Sequence, residues 1–224
     1  MHERFPVIFR TMHNAVRRNI QTIGERSGGS VPEEDRPHFA EFTRRFLHFL
    51  HGHHAGEDTI LFPSILKAAE ARPNSDGIVD VIANVKSKQG EHRNVTSVCE
   101  ELGAAADAAG AGGPLGPVHD AITRLNAMLQ THLEEEEHVV SPKVLKELMT
   151  AAEVETTAEA LKKHGQRSGG PSVVMLLIHS FTTEEQLDHF GAMPWFVRRI
   201  LVKQIWARSY RPLLKFSYTK ECAL

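Results

Sequence analysis

The second half of this sequence repeats the first half at an offset of 79 residues. The stretch HHAGEDTILFPSILK, residues 53–67, returns as HLEEEEHVVSPKVLK, residues 132–146. The same offset pairs His13 with His92 further upstream. Such a repeat indicates one supersecondary unit used twice, with the two copies sharing a core. We therefore expect residues that are 79 positions apart to occupy equivalent positions in the two halves of the fold.

The repeated unit is a pair of amphipathic helices. Apolar residues recur every three or four positions along four segments, and strand-like alternation is nearly absent. These stripes run over residues 5–23, 39–61, 78–102 and 118–139, and Pro63 is expected to kink the second helix. RSGGSVPEED and ARPNSDG separate the first three helices, and GAAADAAGAGGPLGP is expected to be a flexible loop before the fourth. The sequence predicts an all-α, up-down antiparallel four-helix bundle with extra C-terminal helices.

Four histidines lie on these apolar stripes at nearly equal intervals. They are His13, His53, His92 and His132, separated by 40, 39 and 40 residues. An antiparallel bundle returns to the same height once per helix and turn, so we expect these histidines in one layer. Glu57 and Glu136 follow two of them at i+4, on the same helix face. Carboxylates that face a core are costly to ionise without a compensating cation, and this pattern predicts a metal site.

The donor set narrows the choice of metal. Four imidazoles and two carboxylates are too rich in nitrogen for calcium or magnesium and contain no thiolate, which leaves iron, manganese or zinc. If both carboxylates bridge two ions, the protein supplies about eight of the roughly twelve bonds that two octahedral ions need. An oxo or hydroxo bridge would leave about one open position per ion. Such positions suit dioxygen, peroxide or nitric oxide.

The order His, His-x3-Glu, His, His-x3-Glu on four successive helices resembles the hemerythrin family of HHE cation-binding domains, in its bacterial form. HHAGEDTILFP is close to that family's second-helix signature, and the resemblance covers roughly residues 5–148. It implies a non-haem centre of two carboxylate-bridged irons, with the ligands His13, His53, Glu57, His92, His132 and Glu136. The invertebrate oxygen carriers have a further histidine four residues along the third helix, where this chain has Thr96, with Lys88 a turn the other way. We therefore expect a more open and reactive centre than that of a carrier.

Several neighbouring residues have two interpretations each. His54 lies at i,i+3 from Glu57, so it is either an alternative or additional ligand or an ordinary core residue, and the repeat pairs it with Leu133. Asp58 and Glu137 are either hydrogen-bond acceptors for the ligand imidazoles or parts of a solvated face.

The sequence beyond residue 150 differs in character. GQRSGG is expected to be a linker after a helix end, and the stretch behind it is typical of three short helices. From residue 195 onward, seven Lys or Arg stand against one Glu and alternate with aromatic residues. This segment either contacts an anionic membrane, a nucleic acid or a partner, or packs on the bundle with its aromatic side chains buried, which we expect. The predicted division is a di-iron bundle at 1–150 and a packed helical extension at 151–224.

Composition excludes some classes of protein. A formal net charge of −2 gives no overall attraction to nucleic acid, and no apolar run reaches the length of a membrane span. Cys99 and Cys222 make no disulfide framework, which favours a reducing cytoplasm.

Three functions fit this pattern. The open metal positions favour an oxidoreductase, a di-iron peroxidase or catalase-like enzyme that acts on hydrogen peroxide or nitric oxide. A protein that binds or senses dioxygen or nitric oxide without turnover is the second. An iron-storage or iron-sensing protein is the third.

Overall fold

The computed structural model describes residues 1–72 and 77–224 of the chain. Its α-helices are α1 (Arg4–Gly28), α2 (Arg36–Gly56), α3 (Phe62–Glu70), α4 (Ile78–Gly110), α5 (Gly116–Val139), α6 (Pro142–Leu148), α7 (Ala151–Ser180), α8 (Thr183–Phe190) and α9 (Ala207–Tyr210). Short 3-10 helices span Glu33–Asp35 and Arg211–Phe216, and π-helical segments span Glu57–Leu61 and Val197–Trp206. Residues 73–76 of the predicted breaker ARPNSDG lie outside the described residues, and α3 ends just before that breaker.

Helices α1, α2, α4 and α5 form the four-helix bundle. Helix α4 packs against both α2 and α5, and α1 packs against α5. Each helix buries the apolar stripe predicted from its periodicity, such as Val16 and Ile20 in α1 and Leu125 and Leu129 in α5. The predicted all-α bundle with additional C-terminal helices is confirmed.

The flexible loop predicted after the third bundle helix is mostly helical, so that prediction is wrong. Helix α4 continues to Gly110 because alanine has the highest helix propensity, and because Ala106 and Ala109 are buried. Gly110 lies so near Ala40 that a Cβ atom added there would come within 2.8 Å of it. The chain turns away at Gly112, whose left-handed φ of 98° favours glycine.

The second bundle helix is interrupted next to Pro63, as predicted. Helix α2 passes into a π-helical turn at Glu57, and α3 begins at Phe62. Pro63 has no N–H to donate to the carbonyl of Thr59, so the regular α-helical hydrogen-bond ladder cannot continue there. The wider turn places the N–H of Phe62 on the carbonyl of Glu57 instead. Glu57 is therefore the first residue of an irregular turn.

Helix α7 consists of two helical segments that meet at a kink at Gly170, the last residue of the predicted linker GQRSGG, and the other residues of that linker are helical, contrary to the prediction. Gly170 takes φ 59° and ψ −174°, and the helix continues after Pro171. A left-handed φ suits glycine, and proline disfavours the helical conformation in the residue before it. Helix α7 packs along α2, where a Cβ atom on Gly56 would come within 3.3 Å of His164. The missing side chain at Gly56 lets α7 lie close to the end of α2.

The segments that follow α7 contact the bundle. The ring centroid of Phe216 lies 5.5 Å from that of Phe39. Tyr210 and Phe216 are buried, whereas Trp195 and Phe196 are 64% and 54% exposed. The expectation of buried aromatic residues in this segment therefore holds for Tyr210 and Phe216 and fails for Trp195, Phe196 and Tyr218, the last of which is 55% exposed. Within residues 1–72 and 77–224, no helix is both long enough and apolar enough to cross a bilayer.

The apolar core consists of two clusters on either side of a polar layer. One cluster contains Val16, Phe49 and Leu129, and the other contains Phe9 and Phe62. Of the evenly spaced histidines, His13, His92 and His132 are buried between these clusters, and the side chain of His53 is 8% exposed. The polar layer of the bundle thus lies between two apolar clusters.

Candidate metal centre

The bundle brings the six predicted ligand side chains into contact with one another. Helix α1 supplies His13, α2 supplies His53, the π turn supplies Glu57, α4 supplies His92, and α5 supplies His132 and Glu136. His13 and Glu136 are 0% exposed, and the side chain of His53 is the most accessible of the six at 8%. Equal spacing along the chain thus places these groups in one layer, as predicted.

The carboxylate of Glu57 is divided between two pairs of histidines. Its Oε1 lies 3.1 Å from Nε2 of His53 and 3.8 Å from Nε2 of His13. Its Oε2 lies 3.8 Å from Nε2 of His92. One oxygen therefore faces the pair from α1 and α2, and the other faces the pair from α4 and α5.

The carboxylate of Glu136 is divided in the same way. Its Oε2 lies 3.6 Å from Nε2 of His13. Its Oε1 lies 3.4 Å from Nε2 of His92 and 3.1 Å from Nε2 of His132. Each carboxylate thus presents one oxygen to each histidine pair.

These inward atoms lack hydrogen bonds. Within the described part of the chain, Nε2 of His13, Nε2 of His53 and both oxygens of Glu57 and Glu136 have no hydrogen-bond partner. An unsatisfied buried polar atom costs about 1–3 kcal/mol, and more when charged. Ligand atoms of His13, His53 and Glu57 lie within 4.8 Å of one another, as do those of Glu57, His92 and Glu136. Nitrogen and carboxylate donors without partners, facing a common space, fit a transition-metal cation.

The pKa values of the two carboxylates are shifted in opposite directions. Burial, and then the charge of Glu136, raise the pKa of Glu57 well above its usual range. Burial also raises the pKa of Glu136, but the contacts with His132 and His92 outweigh it and hold that pKa well below the usual range. Two anions this close in a buried layer repel each other, so a cation between them would allow both to ionise.

The histidine His53 is neutral at physiological pH. Burial, together with the neighbouring charge of His13, lowers the pKa of His53 to about 3. Burial also lowers the pKa of His132, but the carboxylates of Glu136 and Glu91 outweigh it and raise that pKa. A neutral imidazole has a lone pair available to a metal ion.

Carboxylates outside the layer orient the rings. Nδ1 of His92 donates to Oδ1 of Asp58 at 2.9 Å, and Nδ1 of His13 donates to Oε1 of Glu137 at 3.0 Å. Both contacts confirm the interpretation of these acids as acceptors for imidazoles. An acceptor at Nδ1 fixes the tautomer and turns Nε2 inward, toward a metal.

A third acceptor was not evident from the sequence. Nδ1 of His132 donates to Oε2 of Glu91 at 2.8 Å. Lys88 is only 2% exposed, and its ammonium pairs with Glu91 at 2.7 Å and with Glu135. Burial lowers the pKa of Lys88, but the two carboxylates outweigh it and raise that pKa. Lys88 therefore stays charged and holds Glu91 against His132 rather than entering the layer.

Aromatic rings surround the histidines on the apolar side. The ring centroid of Phe9 lies 4.3 Å from that of His13, and the ring of Phe49 lies 6.0 Å from that of His53. Phe62, which the sequence pattern does not single out, stacks on His92 at 5.8 Å. These rings form an apolar wall beside the histidines.

His54, which has two interpretations from the sequence, also reaches the layer. It is 7% exposed, and its ring stacks on that of His92 with centroids 4.2 Å apart. Burial, and then the charge of His92, hold the pKa of His54 well below its usual value.

One of three comparisons with known proteins found a match, and that match agrees with this geometry. Neither the curated proteins nor the solved structures contain a match to the sequence. A sequence family described as Hemerythrin HHE cation binding domain matches residues 6–87 and 89–168. The first matched segment contains His13, His53 and Glu57, and the second contains the equivalent residues at 92, 132 and 136. Because these two segments make up most of the chain, it belongs to the hemerythrin HHE cation-binding family.

Proposed function

We propose that this chain is a cytoplasmic di-iron protein that consumes hydrogen peroxide in a catalase-like reaction. The observation that supports it is the division of each carboxylate, Glu57 and Glu136, between the two histidine pairs. Six inward donor side chains are too many for one ion and suit two ions bridged by carboxylates. Imidazole and carboxylate donors also suit manganese and zinc, so the choice of iron in this proposal rests on the resemblance to the hemerythrin family.

A catalase-like reaction needs no other reductant. One hydrogen peroxide molecule takes up two electrons and two protons and becomes two water molecules, while a second gives up two electrons and two protons and leaves as dioxygen. Two irons, held by the six donor side chains of the layer, would supply the redox chemistry for this exchange of electrons. The rest of the chemistry depends on side chains that position the ions and exclude other solutes.

Helix α4 supplies one side chain fewer to this layer than the third helix of the oxygen carriers does. Thr96, at the place of the additional histidine in oxygen carriers, is exposed, and its hydroxyl donates to the carbonyl of His92 at 2.8 Å. It therefore supplies no donor to the layer. The rings of Phe9, Phe49 and Phe62 admit a small neutral molecule more readily than an ion.

The same apolar surroundings favour a second candidate function. Dioxygen and nitric oxide are small and uncharged, so a layer enclosed by Phe9 and Phe49 also suits a protein that binds or senses them without turnover. Nitric oxide is also a candidate substrate or co-substrate of the enzyme. The two functions differ in whether the ligand leaves unchanged.

We further propose that residues 151–224 are an extension of the bundle that shields this centre. The approach of α7 to Gly56 supports this, because Nε2 of His164 on α7 is hydrogen-bonded to the carbonyl of Gly52, 3.0 Å away, next to the centre's His53. Since the N–H of the His164 ring is the donor that a carbonyl requires, His164 donates in this contact. The extension therefore covers the outer side of the helix that carries His53.

The proposed function is tested with iron-loaded protein and two measurements. Elemental analysis should give about two irons per chain, and an oxygen electrode should record dioxygen release from added hydrogen peroxide above that of free iron. Glu57→Ala should abolish the release, because it removes one bridging carboxylate, whereas Glu134→Gln changes an exposed residue and should leave it unchanged. One tightly bound zinc, or reversible dioxygen binding without peroxide consumption, would contradict the proposal.

A further inference from the structure

His54 has no histidine counterpart in the second copy of the repeat, where Leu133 takes its place. Its ring is nevertheless buried in the polar layer. It stacks on the ring of His92 with an interplanar angle of 16° and lies edge-on to the ring of His132, with centroids 5.6 Å apart. His54 thus lies on the side of the layer formed by the α4 and α5 histidines.

The inward nitrogen of His54 lacks a partner. Nε2 of His54 is buried and makes no hydrogen bond to any residue that the structure describes. A leucine such as Leu133 would fill the same kind of position without an unsatisfied polar atom, so packing alone does not account for an imidazole here. One ligand atom each of His54, His92 and His132 lie within 4.8 Å of one another. Three imidazole nitrogens this close together can share one ion.

We propose that His54 is a third nitrogen ligand of the ion held by His92 and His132. This inference rests on the proposed di-iron function. His54 reaches the layer from the end of α2, one residue after His53, so adjacent residues of one helix serve the two different ions. The position that Thr96 leaves without a donor on α4 is thereby supplied from α2.

The additional ligand makes the two halves of the centre unequal. His13 and His53 provide two nitrogens on one side, and His54, His92 and His132 provide three on the other, while Glu57 and Glu136 serve both sides. The positions open to a small molecule are therefore concentrated on the His13 side. This changes the expectation from the sequence, which gives both ions an open position.

The test is an iron(II) competition against a chromogenic chelator, with His54→Leu compared with the unmodified protein. Leucine is the residue at the equivalent position of the second copy, so it keeps the core filled. Loss of a ligand should weaken retention of one of the two irons by at least about tenfold, the lower end of what losing an outer hydrogen-bond partner costs. His51→Ala, an exposed position on the same helix, is the matched control and should retain both irons. Unchanged affinity for both irons in His54→Leu would overturn the proposal.

A second variant separates a ligand from a packing residue. His54→Ala should regain its second iron when free imidazole is added, because the small ring can enter the vacated space and supply the missing nitrogen. A residue needed only for packing would give no imidazole-dependent change in iron content, so the absence of rescue would overturn the proposal.

A measurement on the unmodified protein does not depend on how the variants fold. The Mössbauer spectrum of protein loaded with iron-57 should contain two iron environments of equal area, and His54→Leu should alter or remove one of them. A single environment for both irons would overturn the assignment of His54. None of these measurements depends on peroxide consumption. If the spectrum shows two iron environments but the protein consumes no peroxide, the proposed reaction is rejected and the assignment of His54 as a ligand is kept.

Discussion

Oε1 of Glu137 on α5 accepts a hydrogen bond from Nδ1 of His13 on α1, at 3.0 Å. The same oxygen accepts a second hydrogen bond from Arg17 at 2.7 Å. Burial raises the pKa of Glu137, but the hydrogen bonds from His13 and Arg17 outweigh it and lower that pKa to about 2. Glu137 is therefore ionised at physiological pH and holds the His13 ring with its other nitrogen toward the layer.

Neutralising these outer carboxylates should weaken iron binding without removing a ligand. Glu137→Gln and Asp58→Asn keep the shape of each side chain and remove the charge that faces His13 or His92. Because such acceptors orient the imidazole and raise its basicity, we expect iron(II) affinity to fall about 10–100-fold in each variant. Chelator competition at constant pH measures the change.

The control for this pair is Glu134→Gln, which removes one charge from the same acidic run at an exposed position. It should leave the affinity within experimental error of the unmodified protein. Equal losses in Glu134→Gln and Glu137→Gln would show that net charge, rather than the contact with His13, controls binding.

Removing an inward histidine should cost both metal and stability. A ligand that binds only the folded chain stabilises it, by about 2.7 kcal/mol at a concentration 100 times its Kd. His53→Ala and His132→Ala should each lose iron and melt below the iron-loaded protein, and adding a strong chelator should narrow that difference. Thermal unfolding with and without the chelator checks both points.

The matched control for these variants is His51→Ala, which removes an exposed imidazole two residues from His53. It should keep its iron and its melting temperature. If His54→Ala loses all iron while His53→Ala keeps both ions, the register assigned to the first copy of the repeat is wrong.

The repeat explains why so much of the centre is predictable. Residues 40 positions apart reach the same height in an antiparallel bundle, so His13, His53, His92 and His132 are brought together by helix length alone. The i+4 spacing then places Glu57 on the same face as His53. Helix length and i+4 spacing depend only on positions along the chain, so both can be read from the sequence.

Other parts of the centre depend on contacts between helices. Glu91 stands next to His92 in the sequence but serves His132 on another helix, at 2.8 Å, with Lys88 holding it there. His54 lies one position from His53, and helical periodicity does not decide which of two adjacent residues at a helix end faces inward. The bend at Gly170 has a similar origin, since a glycine before a proline fits either a linker or a bent helix.

Contact between the C-terminal extension and the bundle should contribute strongly to stability. Phe216 is 3% exposed and lies within 6.0 Å of the rings of Phe39 and Phe42. Phe216→Ala should therefore lower the free energy of unfolding by about 3–5 kcal/mol, the usual cost of removing a buried phenyl ring. Phe196→Ala removes a ring that is 54% exposed and should change it by no more than about 0.5 kcal/mol. Denaturant titration of iron-free protein measures both, and equal effects would contradict burial of Phe216 against the bundle.

The acid stability of the protein should depend on Glu185, which joins the extension to α1. Its carboxylate pairs with the guanidinium of Arg18 and accepts the N–H of Thr182 at 2.8 Å. Burial raises the pKa of Glu185, but these contacts outweigh it and hold that pKa below its ordinary value of 4.5.

A lowered carboxyl pKa stabilises the folded chain above the unfolded pKa, and this stabilisation disappears as the pH falls through the folded pKa. Glu185→Gln preserves the capping box formed with Thr182, because glutamine serves at that position, and removes only the titrating charge. We therefore expect the variant to be less stable than the unmodified protein at pH 7, with the difference shrinking as the pH falls below 4.5. Denaturant titrations of iron-free protein across this range measure it. Denaturant titration of Glu184→Gln is the control. This variant removes an exposed charge from the same helix turn, so it measures the effect of the helix dipole alone.

A difference in stability between Glu185→Gln and the unmodified protein that stays constant down to the lowest pH would contradict this prediction. It would show that the Arg18 contact does not depend on the carboxylate charge.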